Sequence, residues 1–352
     1  HSATIVARAA EVLGNRADAK RYRSLSEQIR KAFQQEFVTA TGRLAYETQT
    51  AYVLALAFDL LPAPLQQPAA DRLAADVKAR GNHLTTGFLG TPELTRVLSD
   101  HGHSETAYDL LTQTTYPSWL YPVTFGATTI WERWDAIRPD GTFQNPEMTS
   151  FNHYAYGAVG EWMVNVVAGL EAAPDGPGYQ RVLIQPKPGG RLTAASAALD
   201  TGYGKTSTAW KLNGAEFSLE VTIAPNTTGQ VVLPMAAGLP VLESGTALNS
   251  AVGVESVDEV NGDLQVIIGA GTYRFSYSSP ELALKAAHYK ALSQTSSLAE
   301  VISAPEGKAA IAELSPGLLS GKAPPAFMAA PINKLPSMHP SLKVIEPIYD
   351  RL

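Results

Sequence analysis

Apolar residues in the first half of the chain recur at three- and four-residue spacing. Residues 18–38 carry one such stripe, made of Tyr22, Leu25, Ile29, Phe33 and Phe37. This spacing places the side chains on one face of a helix, so it predicts an amphipathic α-helix. A shorter helix that ends near Gly14 precedes it, and similar patterns predict helices at residues 48–60, 65–80, 92–99, 105–114 and 151–169. Residues 1–173 are therefore predicted to consist of antiparallel helix pairs with short connections.

Two of the predicted connections are long and unusual in composition. Residues 83–91 and 116–152 are rich in aromatic, Gly, Thr and Asn residues. Long ordered loops on a rigid helical scaffold are common places for binding sites. We therefore expect a functional site to lie in these loops.

The pattern changes to strands after residues 174–178, whose sequence PDGPG predicts a linker. Asn213-Gly214 and Asn261-Gly262 each separate two alternating runs and predict tight hairpins. Residues 178–279 are therefore predicted to form an antiparallel β-sandwich. Residues 280–352 are predicted to be a C-terminal extension that is partly helical or irregular, with a helix at 281–291. The predicted strands are residues 180–185, 194–199, 205–212, 216–223, 229–233, 252–260, 262–268 and 271–277.

Composition excludes several classes of function. The formal net charge is -6 and no basic cluster is present, which argues against a nucleic-acid partner. The chain has no cysteine and its histidines lack metal-ligand spacing, so neither a metal nor a cofactor is expected. The longest apolar stretch, residues 51–61, is too short to span a membrane.

The first residues of the chain run straight into a helical pattern. They lack a charged region followed by an apolar one, so they do not predict a signal peptide. The compartment stays open among the cytoplasm, the periplasm and the exterior of the cell. Because His1 is not an initiator methionine, we expect the chain to be the interior of a longer parent.

The most unusual segment contains three of the five tryptophans, Trp119, Trp131 and Trp134. Two carboxylates, Glu132 and Asp135, lie among them. Aromatic faces beside carboxylates suit a carbohydrate site, because sugar C–H faces stack on rings while carboxylates bind hydroxyls or move protons. A structural role, with the rings in a core and Glu132 in a surface ion pair, is the alternative.

A second candidate segment has the sequence SFNHYAYG, at residues 150–157. It opens the predicted helix at 151–169, which places Asn152 and His153 in the first helical turn. A histidine in this position can hydrogen-bond a sugar hydroxyl. A purely structural role for His153 stays open at this point.

Four strings in the sequence resemble the bacterial α-L-rhamnosidases of glycoside hydrolase family 78. They are TGFLGT at 86–91, GATTIWERWD at 126–135, SFNHYAYG at 150–157 and RVLIQP at 181–186. The resemblance extends over roughly residues 1–280 and implies an (α/α)6 barrel followed by a β-sandwich. About seven helices are predicted, so the chain would hold the C-terminal portion of the barrel. The expected fold class is α+β multidomain, with a partial (α/α)6 barrel before the antiparallel β-sandwich.

The resemblance implies inverting hydrolysis of terminal α-L-rhamnose. Such a reaction uses two carboxyl groups roughly 6.5–9.5 Å apart, one as the acid and one as the base. By resemblance Glu132 is the general base and His153 contacts the sugar. Trp119, Trp131 and Asn152 are expected to contribute to the sugar pocket. The family's general acid lies in an acidic segment expected upstream of His1.

Other functions remain open beside the rhamnosidase interpretation. The chain could be a non-catalytic or degenerate carbohydrate-binding fragment, or a glycosidase of another specificity on the same scaffold. The expected ligand is a rhamnose-containing oligosaccharide or glycoside. Helices of a partial barrel should expose apolar surface, so self-association or pairing with an N-terminal fragment is also expected.

Overall fold

The computed structural model describes residues 1–352 except 146, 148, 291–295, 297, 304, 320–323 and 352. Contacts divide the chain into two compact units, His1–Leu111 and Thr112–Leu352. In the described part of the chain, no helix has the length and apolar character needed to cross a membrane.

The first unit is helical, and its helices lie close to the predicted positions. Asn15 accepts a hydrogen bond from the Asp18 N–H and so caps α2, and Thr48 caps α3 through the Ala51 N–H. Helix α1 packs on α2, and α3 packs on α4 and α5. The helices are α1 Ser2–Val12, α2 Arg16–Phe37, α3 Gln49–Ala57, α4 Ala63–Ala79, α5 Thr91–Asp100 and α6 Ser104–Thr112.

The core of the helical unit is built mainly from α3, α4, α5 and α6. Leu73, Leu94, Leu98 and Tyr108 are completely buried there. The predicted apolar stripe of α2 is not buried as a whole. Ala19 is buried, whereas Leu25, Ile29 and Phe37 are exposed.

Helices are short and irregular at the start of the second unit. Helix α7 covers Leu120–Thr124. The continuous helix predicted at 151–169 is wrong: a 3-10 helix at Ala155–Ala158 leads into α8 at Val159–Trp162 and a π-helical turn at Met163–Val167. His153 therefore precedes the helical segment and does not lie in its first turn.

Two sheets follow, and the order of helices before antiparallel sheets confirms the predicted fold class. One sheet has the strand order β1-β2-β6-β10-β9 and the other β3-β4-β5-β11-β7-β8. The pairing of β2 with β6 is parallel, which departs from the predicted antiparallel pattern. The strands are β1 Leu170–Ala172, β2 Arg181–Ile184, β3 Ala194–Thr201, β4 Gly204–Asn213, β5 Glu216–Ile223, β6 Thr228–Leu233, β7 Leu242–Glu243, β8 Thr246–Ala247, β9 Val254–Val260, β10 Asp263–Ile268 and β11 Gly271–Ser278.

One apolar core joins the two sheets. Alternate residues of β5, beginning with Phe217, point into it, while Glu216 and Glu220 are exposed. The indole N–H of the buried Trp210 donates to the Val167 carbonyl at 2.7 Å, which ties the core to the preceding helical turn. Both predicted Asn-Gly hairpins are present, since β4 pairs with β5 and β9 with β10.

Short helices form the end of the chain. Helix α9 at Pro280–Lys290 lies where a helix was predicted, and it packs Leu282 into the sandwich core; residue 291 lies outside the described residues. A separate apolar cluster that includes Leu298, Ile311 and Ile345 joins the later helices. These are α10 Leu298–Ser303, α11 Pro305–Leu314, α12 Pro325–Ala329 and α13 Leu335–Met338, with 3-10 segments at Pro316–Leu319, Ile332–Lys334 and Pro340–Arg351.

Candidate active site

Two segments of the second unit lie side by side and bring Glu132 and His153 onto neighbouring stretches of backbone. The Glu132 N–H donates to the Ser150 carbonyl at 2.9 Å, and the His153 N–H donates to the Ile130 carbonyl at 2.8 Å. We call residues 130–132 and 150–153 the paired segments. Their backbone hydrogen bonds fix the relative position of the two residues that the sequence singles out.

The Glu132 carboxylate is held by the main chain. Its Oε2 atom accepts a hydrogen bond from the Ser150 N–H at 2.9 Å. The residue is half-buried. A carboxylate has about four acceptor positions, so this bond orients the group and leaves it able to bind a further donor.

Trp119 and Trp134 form a buried stack with Tyr156. The rings of Trp134 and Tyr156 are stacked with centroids 3.8 Å apart, and Trp119 meets Trp134 edge-on at 5.6 Å. The Trp119 indole N–H donates to the Tyr156 carbonyl at 2.9 Å. Because Trp119 is 7% exposed and its N–H is bonded, its described role is packing, and its role in a sugar pocket stays a prediction.

Trp131 is also buried and meets Phe151 edge-on at 5.2 Å. Phe151 in turn contacts the exposed ring of Phe143 at 5.6 Å. Asn152 lies exposed on the paired segments, and its N–H donates to the Ser150 hydroxyl at 3.2 Å. The buried Trp131 ring therefore packs against Phe151 of the paired segments, while the Asn152 side chain is open to solvent.

His153 is half-buried and has a defined hydrogen-bonding state on one ring nitrogen. Its Nδ1 atom accepts from the Ala155 N–H at 3.3 Å. In the neutral ring the proton is therefore on Nε2, which becomes a donor. The imidazole is parallel to the Tyr154 ring, with centroids 5.3 Å apart.

Several tyrosines beside the paired segments were not singled out by the sequence reasoning. Burial raises the pKa of Tyr116 and Tyr121 above the ordinary value, and the charge of Asp135 adds to this effect. Burial also raises the pKa of Tyr156, with smaller contributions that include the charge of Glu132. The aromatic residues at 116–121 in the sequence are the signal that could have marked this group.

Asp135, the second carboxylate near the tryptophans, has a cationic neighbour. Asp135 Oδ1 lies 3.8 Å from Arg133 Nε, and both side chains are partly exposed. In the described part of the chain, no group of three or more His, Asp or Glu residues is placed to hold a metal ion.

Two family models match consecutive parts of the chain. Residues 1–167 match the bacterial alpha-L-rhamnosidase 6 hairpin glycosidase domain. Residues 169–247 match the bacterial alpha-L-rhamnosidase C-terminal domain. The change from one model to the next coincides with the change from helices to sheets at β1.

Known proteins agree with these models. The chain is 51% identical over 234 residues to an alpha-L-rhamnosidase of Streptomyces avermitilis. This match covers 66% of this chain and 22% of the relative. It is 38% identical over 277 residues to an alpha-L-rhamnosidase of Formosa agariphila, which covers 78% of this chain and 30% of that relative. The chain therefore spans less than a third of the length of either relative.

Solved structures give the same result at the level of the fold. The crystal structure of Streptomyces avermitilis alpha-L-rhamnosidase complexed with L-rhamnose matches with a TM-score of 0.72 and 46% identity, over 78% of this chain and 26% of that one. The alpha-L-rhamnosidase of Aspergillus terreus matches with a TM-score of 0.69 and 38% identity, over 78% of this chain and 29% of that one. The chain belongs to the bacterial α-L-rhamnosidase family.

Proposed function

We propose that this chain forms part of the active site of a glycoside hydrolase that releases α-L-rhamnose with inversion, and that Glu132 is its general base. The observation that carries the proposal is the Glu132 carboxylate, held by the Ser150 N–H on the segment paired with His153. Relatives that are named alpha-L-rhamnosidases support the choice of sugar.

The proposed reaction uses Glu132 to activate water. As the water oxygen forms a bond to the anomeric carbon, one of its protons passes to the Glu132 carboxylate. The bond between the anomeric carbon and the leaving oxygen breaks on the opposite face, and a second acid donates a proton to that oxygen. The bond from the Ser150 N–H fixes the direction in which the Glu132 carboxylate points.

His153 acts in this proposal as a sugar-binding residue. Since Nδ1 accepts from the main chain, Nε2 carries the proton in the neutral ring and can donate to a sugar hydroxyl. Asn152, exposed on the same segment, supplies a second polar side chain. The buried ring of Trp131 packs on Phe151 of the paired segments, and the buried ring of Trp119 packs on Trp134.

Product configuration tests the inverting mechanism. The protein for this test is a chimaera in which this chain replaces the segment of the Streptomyces avermitilis relative that it matches, so that the helical domain is complete. Proton NMR during the first minutes of hydrolysis of an aryl α-L-rhamnoside should show β-L-rhamnose before mutarotation. Initial formation of α-L-rhamnose would rule out the inverting role of Glu132.

Binding without hydrolysis is the second candidate function for the chain by itself. Asp135, the carboxylate that follows Glu132 in the sequence, has Arg133 as a neighbour at 3.8 Å, which favours a structural role over that of an acid. Calorimetric titration of the 352-residue chain with L-rhamnose, beside an activity assay, separates the candidates. Saturable binding with no turnover supports a binding fragment, and turnover by the chain alone excludes it.

A further inference from the structure

Tyr154 is a large aromatic residue that the proposed reaction does not use. Its side chain is 88% exposed, far more than the neighbouring Tyr156 at 7%. Its ring is parallel to the His153 imidazole, with an interplanar angle of 4° and centroids 5.3 Å apart. Because nearly all of the side chain is exposed, the residue presents a flat apolar surface to solvent.

The backbone that carries Tyr154 is fixed on both sides. The preceding His153 N–H is bonded to the Ile130 carbonyl at 2.8 Å, and the Tyr154 carbonyl accepts from the Gly157 N–H at 2.9 Å as the 3-10 helix begins. A tyrosine side chain has two χ angles, so a ring on a fixed backbone loses little entropy when a ligand stacks on it.

The position of this surface identifies the part of a substrate that it can reach. Tyr154 directly follows His153, the proposed sugar contact, and lies on the segment paired with Glu132. A ring that stacks on Tyr154 therefore lies next to a sugar bound at His153, and not at the same place. Ile130, which is 38% exposed beside the His153 backbone, adds apolar surface at this edge.

We propose that Tyr154 forms a stacking platform for the group to which rhamnose is attached. The inference rests on the proposed function, because it takes rhamnose at His153 as its starting point. The ligand chemistry is a planar or flat apolar face linked to the anomeric oxygen. An aromatic aglycone has such a face, and so does the C–H face of a neighbouring pyranose.

Binding of thioglycosides, which resist hydrolysis, tests the platform on the chimaera with the Streptomyces avermitilis relative that is described above. The probes are methyl, phenyl and glucosyl 1-thio-α-L-rhamnosides, and calorimetry gives a Kd for each with wild type, Tyr154→Ala and Tyr154→Phe. The matched control is Tyr203→Ala, which removes another exposed tyrosine, next to the β3–β4 turn. Circular dichroism melting shows whether each variant is folded.

The platform predicts a selective loss. Tyr154→Ala should weaken binding of the phenyl probe about threefold to tenfold while binding of the methyl probe changes less than about twofold. Tyr154→Phe should keep the affinity for both probes, and Tyr203→Ala should have no effect. A loss with the glucosyl probe as well identifies a platform for sugars, and a loss with the phenyl probe alone identifies one for aromatic aglycones.

Other outcomes separate failure of the platform from failure of the proposed function. If Tyr154→Ala weakens the methyl and phenyl probes equally, or neither of them, wild type still binds rhamnosides and the platform alone is overturned. If the wild-type chimaera binds none of the probes, the proposed rhamnose site is overturned, and the platform with it.

Discussion

The Glu132 carboxylate takes its orientation from a main-chain donor, the Ser150 N–H at 2.9 Å. A main-chain donor cannot rotate away as a side chain can, so the carboxylate keeps one direction as long as the paired segments hold. The Ala155 N–H donates to His153 Nδ1 and in this way selects the tautomer of the neutral imidazole. Single residues of this site are therefore positioned by local backbone geometry.

Gln49 plays a comparable positioning role in the helical unit. It is 1% exposed; its amide donates to Asp76 Oδ2 and to the His83 carbonyl, and accepts from the Thr85 N–H at 2.7 Å. Gln49→Leu removes all three hydrogen bonds, one of them to a carboxylate, and should lower the free energy of unfolding by about 2–4 kcal/mol. Urea denaturation measures it, with the exposed Gln28→Leu as the control. A change no larger than that of Gln28→Leu would contradict the role of Gln49.

The pH dependence of the Gln49→Leu destabilisation tests the hydrogen bond between Gln49 and Asp76 in a second way. Burial alone would raise the pKa of Asp76, but hydrogen bonds from Arg80 and Gln49 hold that pKa below its ordinary value. A lowered pKa stabilises the fold above the pKa of the unfolded chain, and this stabilisation is lost as the pH falls through the folded value. The difference between wild type and Gln49→Leu should therefore shrink when unfolding is measured at decreasing pH below about 4.

At the scale of elements, periodicity predicts most helices and strands because packing follows the same periods. Strand β5 was predicted with the observed bounds, Glu216–Ile223, since its inward and outward residues alternate without interruption. Strand β1 has three residues, too few for alternation to be visible, and it was not predicted. The parallel pairing of β2 with β6 joins distant strands, which no local pattern encodes.

The first residues of the predicted helix at 151–169 show why a local pattern can fail near the candidate site. Helical spacing of apolar residues is present there, but the Ser150 carbonyl, which would accept from Tyr154 at the start of such a helix, accepts from the Glu132 N–H. Pairing between segments therefore replaces the first helical bond. The motif strings single out Glu132 and His153 as candidates, whereas the exposure of Tyr154 is seen only in the structure.

Gly169 connects the last helical turn with β1, and its environment admits no side chain. Its φ is +79°, and an added Cβ would lie 2.1 Å from the Pro186 nitrogen. Gly178 has a similar φ of +68° with nothing within 4 Å. Gly169→Ala should therefore destabilise the fold by about 3 kcal/mol or more, and Gly178→Ala by about 1 kcal/mol. Equal melting temperatures for the two variants would contradict the prediction, because they would show that the backbone around Gly169 shifts to accommodate the added methyl group.

At the scale of the whole molecule, the helical unit carries an uncovered apolar surface. Helices α1 and α2 present Val12, Leu13, Leu25 and Ile29 to solvent, with Val12 88% exposed. Exposed large apolar side chains on packed helices favour association. The chain also spans 22% of the Streptomyces avermitilis relative's length, so a large part of that protein has no counterpart in these residues.

This surface leads to a prediction about the state of the chain in solution. The 352-residue chain should self-associate, and light scattering should give a mass above the 37.5 kDa of one copy. Leu25→Glu with Ile29→Glu should shift the distribution toward one copy, because charged side chains oppose burial of that face. Leu199→Glu, at an exposed apolar position on β3, is the control. A monodisperse single copy of the wild-type chain would contradict the prediction.

The proposed role of Glu132 as the residue that activates water predicts a large change in kcat of the chimaera with an aryl α-L-rhamnoside when its carboxylate is removed. Glu132→Gln keeps the shape of the side chain and removes its basicity, so kcat should fall about 10²- to 10⁴-fold while the melting temperature stays close to that of wild type. Glu220→Gln, an exposed substitution on β5 that breaks an ion pair with Arg274, should leave kcat unchanged. Near-normal turnover by a folded Glu132→Gln enzyme would contradict the account.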